Sequence, residues 1–168
     1  MRVKGWLICL LLIFSLPGDG TESLSGRPLR VLSGDRLVLL GNDGSQYRIR
    51  LKGISADPPN EYWGAAAKRY LTTLVMGRFL TVQYQSQGSD GDLLAKLLHG
   101  GADMNRRLIQ AGLARHNPAG QTSVERISYA AAEQEARRSR QGVWSRANSE
   151  VEKRGRSMPG GPLFRSPN

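Results

Sequence analysis

Cysteine, aromatic side chains and acidic residues are all scarce in this 168-residue chain. Its single cysteine, Cys9, lies inside an apolar run, so the rest of the chain can form neither a disulfide nor a thiolate metal site. Phenylalanine, tryptophan and tyrosine make up 7% of the residues, which leaves few flat surfaces on which bases could stack. Against 24 lysines and arginines stand only 14 acidic residues, a net charge of +10. This balance favours an anionic partner, which could be nucleic acid, an acidic polysaccharide or an anionic lipid surface.

Long apolar segments are scarce too. The one such run, residues 6–16, is roughly 11 residues long, well short of the ~20 that a membrane-crossing helix needs. Two positive charges precede it and a stretch rich in proline and glycine follows it, which is typical of a secretory signal peptide. We therefore predict a signal peptide over residues 1–22, cleaved somewhere within 18–25, and export to the periplasm or the medium. No membrane span would then remain after processing; a retained anchor is the alternative.

Short segments with a period-two alternation of apolar and polar residues predict a β-rich domain. The alternation is clearest at 46–51, and the glycine-rich segment 41–44 before it predicts a hairpin turn, so the first three strands should form an antiparallel meander. Strands are expected at 29–32, 36–40, 46–51, 78–85 and 93–98, and helices at 61–76, 104–111 and 123–140. One domain over 27–145 holds all of these elements. The polar, basic residues 146–168 predict a disordered tail.

The order of five strands, with a helix between the third and fourth and two helices after the fifth, matches the OB-fold. Specific motifs accompany that order: SGDRLVL at 33–39, YRIRLKGI at 47–54, GAAA at 64–67, LA at 94–95, DMN at 103–105, LIQAGLA at 108–114, and AEQEAR at 132–137 ahead of GVW at 142–144. In this order and spacing the chain resembles the staphylococcal nuclease, or thermonuclease, family. The resemblance implies an α+β fold, mainly β, with a five-stranded OB-fold barrel and three helices.

The resemblance also implies a chemistry, the calcium-assisted hydrolysis of DNA and RNA phosphodiesters. That reaction needs oxygen ligands for a hard cation, a carboxylate beside the attacking water, and guanidinium groups on the phosphate. The family's Asp-Gly-Asp turn binds the metal through its second aspartate, which matches Asp35, whereas Ser33 replaces the first. The family's phosphate-binding arginine in the Ile-Arg-Leu strand matches Arg50.

Three other family positions are changed. The segment that usually reads Asp-Ala-Pro-Glu places Ser55 at the second metal carboxylate and Pro58 at the glutamate beside the water. The second phosphate arginine, normally in a Tyr-Gly-Arg loop, is Asp92 here, so a cation has become an anion. At 4 Å and intermediate dielectric, the reversal turns an attraction between this side chain and a phosphate into a repulsion of roughly a few kcal/mol.

A rearranged loop is the alternative, because two other carboxylates lie close by in the sequence. Asp57 could reach the metal and Glu61 could serve as the base beside the water. Three functions therefore remain open. The first is an exported domain that binds nucleic acid or another polyanion, with hydrolysis weak or lost and no metal. The second is an active secreted endonuclease that requires Ca²⁺, and the third is a non-catalytic module associated with the envelope or with polysaccharide.

Overall fold

The computed structural model describes residues 21–88 and 90–145. Residues 1–20 of the predicted signal peptide and the whole predicted tail, 146–168, lie outside the described residues. Within the described ranges, no helix is both long and apolar enough to cross a membrane.

Eight strands and three α-helices follow one another along the described chain, which ends in a 3-10 turn. The strands are β1 (Glu22–Ser33), β2 (Arg36–Gly41), β3 (Gln46–Leu51), β4 (Ile54–Ser55), β5 (Leu80–Gln87), β6 (Leu93–His99), β7 (Ala102–Asp103) and β8 (Arg115–His116). The helices are α1 (Tyr62–Val75), α2 (Met104–Gln110) and α3 (Ser123–Arg138), and the 3-10 turn is Gly142–Trp144.

Five of the strands form a closed barrel. β2 pairs antiparallel with β1 and with β3, which confirms the predicted meander, and β1 and β6 each pair antiparallel with β5. The ring closes because β3 and β6 run side by side in parallel, with Ile49 opposite Leu93 and Leu51 opposite Ala95. The predicted α+β fold, a five-stranded OB-fold-type barrel with three helices, is confirmed.

The alternation along β3 decides which side chains fill the barrel. Ile49 and Leu51 are buried, whereas Arg48 and Arg50 on the opposite face are exposed. Neighbouring strands supply further fully buried side chains: Leu37, Leu39, Leu80, Val82, Ala95 and Leu97. Helix α1 packs against β1 and α2, and α2 packs against β6 and α3.

Strand β1 is much longer than the sequence predicts. The expected strand was 29–32, but β1 begins at Glu22, ahead of the predicted domain start at residue 27. Its first half pairs with β5, with Glu22 opposite Tyr84, and its second half pairs with β2. The Tyr84 hydroxyl also donates a hydrogen bond of 2.6 Å to the Glu22 carboxylate. Leu24 is the one large apolar side chain among residues 22–26, too few for an alternating pattern, so only their pairing reveals them as a strand.

The side chain of Asn105 joins α2 to the closure of the barrel. It is fully buried, and its Nδ2 donates to the carbonyl oxygens of Lys52 at 2.9 Å and Ala95 at 3.0 Å. Its Oδ1 accepts a hydrogen bond from the Leu97 backbone at 3.1 Å. The Ala95 carbonyl also accepts a backbone hydrogen bond of 2.7 Å from Lys52, so Asn105 adds three buried hydrogen bonds beside the β3–β6 junction and has its own buried amide satisfied by them.

Candidate functional site

The turn between β1 and β2 carries Asp35 and lies against the loop that follows β4. A Cβ atom built on Gly34 would lie 2.7 Å from the Ala56 Cβ and 2.4 Å from the Ala67 Cβ, so only glycine permits this contact. Asp35 is half-buried, and its Oδ1 accepts a hydrogen bond of 2.7 Å from the Ser33 hydroxyl. The structure thus brings Asp35 beside the loop that begins at Ser55, with the serine at position 33 bonded to the carboxylate.

The loop after β4 holds Asp57, whose carboxylate already has a cationic partner. β4 and β8 pair so that Ser55 lies opposite Arg115, and the Arg115 guanidinium forms an ion pair with Asp57. The Asp57 side chain is 18% exposed, whereas Ser55 is exposed and has no carboxylate to offer. A calcium ion at Asp57 would therefore have to displace Arg115 or share the carboxylate with it.

Arg115 also contacts Trp144, in the 3-10 turn at the end of the described chain. Its guanidinium carbon lies 5.7 Å from the indole centroid, and Arg137 of α3 lies over the same indole at 4.0 Å. Arg115 thereby connects the loop that holds Asp57 to the 3-10 turn, and Trp144 connects that turn to α3 through Arg137. No local sequence pattern links Arg115 to Asp57, which lies far earlier in the chain, so the sequence alone does not reveal this contact.

Glu61 and Pro58 meet where this loop enters α1. Glu61 is the residue that precedes the helix, its side chain makes no capping hydrogen bond, and it is exposed. Its backbone nitrogen donates 2.9 Å to the Pro58 carbonyl, and Gly64 lies against the carbonyls of Asp57 and Pro58. The Glu61 carboxylate therefore faces solvent at the edge of the same site.

These residues do not fit the calcium site that the family resemblance implies. No group of three or more His, Cys, Asp or Glu residues within 21–88 and 90–145 is placed to hold a metal ion. Asp35 is bonded to Ser33 and Asp57 to Arg115, whereas Ca²⁺ takes six to eight oxygen ligands that usually include several carboxylates. The side chains present can supply one carboxylate and a hydroxyl, which is a weak set for this cation.

Arg50, the remaining phosphate arginine, stands on the outer face of β3. It is exposed and lies directly opposite Arg36 of β2, with Leu94 beside it on β6. Among the described residues, none forms an ion pair or a side-chain hydrogen bond with the Arg50 guanidinium. All of its donors are thus available to an external anion.

Asp92, at the position of the second phosphate arginine, is a buried carboxylate clamped between two arginines. Its side chain is 1% exposed, with Oδ2 at 3.0 Å from Arg36 Nη1 and Oδ1 at 2.8 Å from Arg48 Nε. Arg36 Nη2 also lies 3.0 Å from Asp90. Neither Arg36 nor Arg48 was predicted as a site residue. The alternation of β3 places Arg48 on the same face as Arg50 and could have indicated it, and a buried acid at position 92 would need a cationic partner.

The family described as "Staphylococcal nuclease homologue" matches residues 48–146, more than half of the chain. An uncharacterized endonuclease of Escherichia coli O157:H7 is 27% identical over 151 residues, which cover 87% of this chain and 93% of that protein.

Two longer relatives match only in part. An uncharacterized 38.1 kDa protein of Capnoides sempervirens is 31% identical over 105 residues, 62% of this chain and 30% of its own length. The staphylococcal-like nuclease CAN1 of Arabidopsis thaliana is 28% identical over 123 residues, 71% of this chain and 37% of its own. The chain thus spans about a third of the length of these two proteins.

Proposed function

Since the chain belongs to the staphylococcal nuclease family, we propose that its domain binds nucleic acid or another polyanion through its basic surface, with phosphodiester hydrolysis weak or lost. The observation that carries this proposal is the state of Asp92. A buried carboxylate held by Arg36 and Arg48 stands where the family has a cation for the phosphate. Removing one electrostatic transition-state contact typically costs about 10² to 10³ in rate, and a reversed charge should cost at least that much.

The groups around the attacking water support the same proposal. Pro58 stands where the family has a glutamate, and Ser55 stands where it has a metal carboxylate. Asp57, the nearest substitute ligand, is paired with Arg115. Calcium-assisted hydrolysis would therefore lack a strong metal site and an aligned base.

Binding without hydrolysis needs only accessible cations, and these are present. The chain has a net charge of +10, and Arg48 and Arg50 are exposed on one face of β3. If the partner is single-stranded nucleic acid, the log–log dependence of affinity on salt should have a slope of roughly −0.7 per phosphate contact. Fluorescence anisotropy with labelled DNA, RNA and heparin across a salt series tests this. Salt-insensitive binding, or no binding to any of these at low salt, would refute the proposal.

A second candidate is the active calcium-dependent nuclease with a rearranged loop. The names of two relatives, an endonuclease and a staphylococcal-like nuclease, support it, as does the uncommitted Glu61 carboxylate at the edge of the site. It would require Asp57 to leave Arg115 and bind the metal, with Glu61 as the base. The Arg115 ion pair opposes that rearrangement, and so does the stiffness of the two prolines at 58 and 59.

Export completes the proposal, and it rests on the charged and apolar pattern of residues 1–22 alone. Export would also suit the third candidate, a non-catalytic module of the envelope. Because β1 already pairs with β5 from Glu22 onward, we expect processing no later than that residue. Mass spectrometry of protein recovered from the envelope or medium should show a new N-terminus between residues 18 and 22. An intact Met1 on protein confined to the cytoplasm would contradict export.

A further inference from the structure

Two arginines stand side by side on the outer face of β3. Arg48 and Arg50 are two residues apart on one strand, so their side chains leave the same face about 7 Å from each other. Both are exposed, Arg48 by 57% of its side chain. On the neighbouring strand β2, Arg36 lies directly opposite Arg50 and adds a third arginine to this surface.

The buried carboxylate of Asp92 holds Arg48 by only one of its nitrogens. Asp92 Oδ1 lies 2.8 Å from Nε of Arg48 as an ion pair, although the contact lacks the geometry of an N–H···O hydrogen bond and Oδ1 is buried without a hydrogen-bond partner. Among the described residues, none accepts a hydrogen bond from the Nη atoms of Arg48. The charge of Asp92 therefore holds the Arg48 side chain beside β3 without occupying its Nη donors, which suit phosphate oxygens. Anchoring also lowers the rotamer entropy that an exposed arginine would lose on binding an anion.

Arg36, the other arginine paired with Asp92, differs from Arg48 in that both nitrogens of its fork contact carboxylates. Its Nη1 contacts Asp92 and its Nη2 contacts Asp90, each at 3.0 Å, so its fork is already occupied by carboxylates. Like charges directly opposite each other on neighbouring strands are destabilising, and the two aspartates offset the repulsion between Arg36 and Arg50. Arg36 therefore balances charge within the protein, whereas Arg48 and Arg50 keep donors for an external anion.

We propose that Arg48 replaces the phosphate arginine missing at position 92: with Arg50 it binds adjacent phosphates of a nucleic-acid strand, and Asp92 is its positioning residue. The proposal rests on the proposed function and deepens it by assigning the contact surface. A phosphodiester backbone fits this surface best, because its charges repeat along a line as the two guanidinium groups do, and guanidinium forks match phosphate oxygens.

The first test compares Arg48→Gln with Arg138→Gln. Both variants remove one positive charge from an exposed arginine that is paired with a carboxylate, but Arg138 lies on α3, which packs against α2 and β8 rather than β3. Binding of labelled oligothymidylate is measured by anisotropy in EDTA at several salt concentrations. We expect Arg48→Gln to weaken binding roughly tenfold and to reduce the log–log slope by about 0.7, whereas Arg138→Gln changes the affinity by less than about twofold.

The second test addresses Asp92 as a positioning residue. Asp92→Asn raises the net charge by one, so charge alone predicts tighter binding, whereas loss of the Nε anchor predicts unchanged or weaker binding. A double-mutant cycle with Arg48→Gln separates the two, because the cost of Arg48→Gln should fall to less than half in the Asp92→Asn background. If Asp92→Asn proves unfolded by circular dichroism, the same cycle is measured with Asp92→Glu, which keeps the charge and displaces the carboxylate, and additive effects there overturn the positioning role.

The outcomes distinguish this assignment from the function on which it rests. If the native protein binds the oligonucleotide but Arg48→Gln weakens binding no more than Arg138→Gln, the assignment is overturned and the proposed function stands. Tighter binding by folded Asp92→Asn, with additive effects in the cycle, overturns the positioning role. If the native protein binds heparin and neither DNA nor RNA, nucleic acid is the wrong partner and the assignment fails with it. Absence of any binding refutes the proposed function itself.

Discussion

Nη1 of Arg36 lies 3.0 Å from Oδ2 of Asp92, and the Asp92 side chain is almost wholly enclosed by the protein. The family resemblance implies an arginine that binds the substrate phosphate at this position, whereas this aspartate lies against Arg36 of β2 and Arg48 of β3. The reversal of charge at position 92 is therefore accompanied by compensating charges at positions 36 and 48. Removing one member of this group of charges would leave the buried carboxylate or its arginines uncompensated, so a reversion at position 92 has consequences for Arg36 and Arg48.

Restoring the family residue by Asp92→Arg alone should destabilise the protein. A third guanidinium would be forced into a nearly buried place between Arg36 and Arg48, and breaking a buried ion pair typically costs about 3–5 kcal/mol. The matched control is Asp90→Arg, which makes the same charge change at a side chain that is 37% exposed and should cost less than about 1 kcal/mol. Urea unfolding followed by circular dichroism gives the free energy of unfolding of both variants. Equal stability of the two would contradict the ion pairs of a buried Asp92 with Arg36 and Arg48.

The barrel was predictable because its signals are local. The bounds of β3 were predicted as observed, since the period-two alternation and the preceding hairpin turn both mark 46–51. By contrast, the first half of β1 and the two-residue strands β4, β7 and β8 carry no sequence pattern of their own. They exist as strands only because a partner lies beside them in the folded chain, as Tyr84 does beside Glu22.

The candidate site was predictable only as far as the family resemblance reached. The resemblance assigns roles to Asp35 and Arg50 and identifies the changes at Ser55, Pro58 and Asp92. It does not reveal that Asp57 pairs with Arg115, or that Asp92 pairs with Arg36 and Arg48. Those contacts join residues far apart in the sequence, and they depend on the closure of the barrel and on the pairing of β4 with β8.

Glu125, at the start of α3, connects the helix to the barrel through two lysines. Its carboxylate lies 2.8 Å from Lys96 Nζ and 3.2 Å from Lys52 Nζ, and it accepts a hydrogen bond of 3.0 Å from the Thr122 backbone as part of a capping box. Burial alone would raise the pKa of this group, but the hydrogen bonds from Lys96, Thr122 and Lys52 outweigh it and lower the pKa to about 2.

Acid should therefore weaken the protein between pH 5 and 2. A carboxyl whose pKa is depressed on folding contributes stability above its unfolded pKa, and that contribution is lost as pH falls through the folded pKa. Glu125→Gln should lower the free energy of unfolding at pH 7, on the order of 2 kcal/mol, and flatten its dependence on pH over this window. Glu135→Gln, at an exposed carboxylate on the same helix, is the control. Parallel pH profiles for Glu125→Gln and the native protein would show that the lysine contacts contribute nothing.

Calcium affinity should rise when carboxylates are returned to the loop after β4. Ser55→Asp together with Pro58→Glu restores two acidic side chains beside Asp35, and we expect calcium binding to tighten by roughly tenfold or more, measured by isothermal titration calorimetry. The control is Ser45→Asp with Pro118→Glu, which adds the same charge at exposed positions outside the site. An equal gain in the control would show that net charge, and not the arrangement around Asp35, governs calcium binding.

The most direct test measures hydrolysis by the native protein. Purified processed protein is incubated with single-stranded DNA, double-stranded DNA and RNA, in calcium and in EDTA, beside Asp57→Ala/Glu61→Ala and an intact family nuclease. We expect the native protein to cleave at least 10²-fold more slowly than the intact nuclease, with little difference between calcium and EDTA. Rapid calcium-dependent digestion that the double variant abolishes, with its fold preserved, would contradict this and establish the rearranged-loop nuclease.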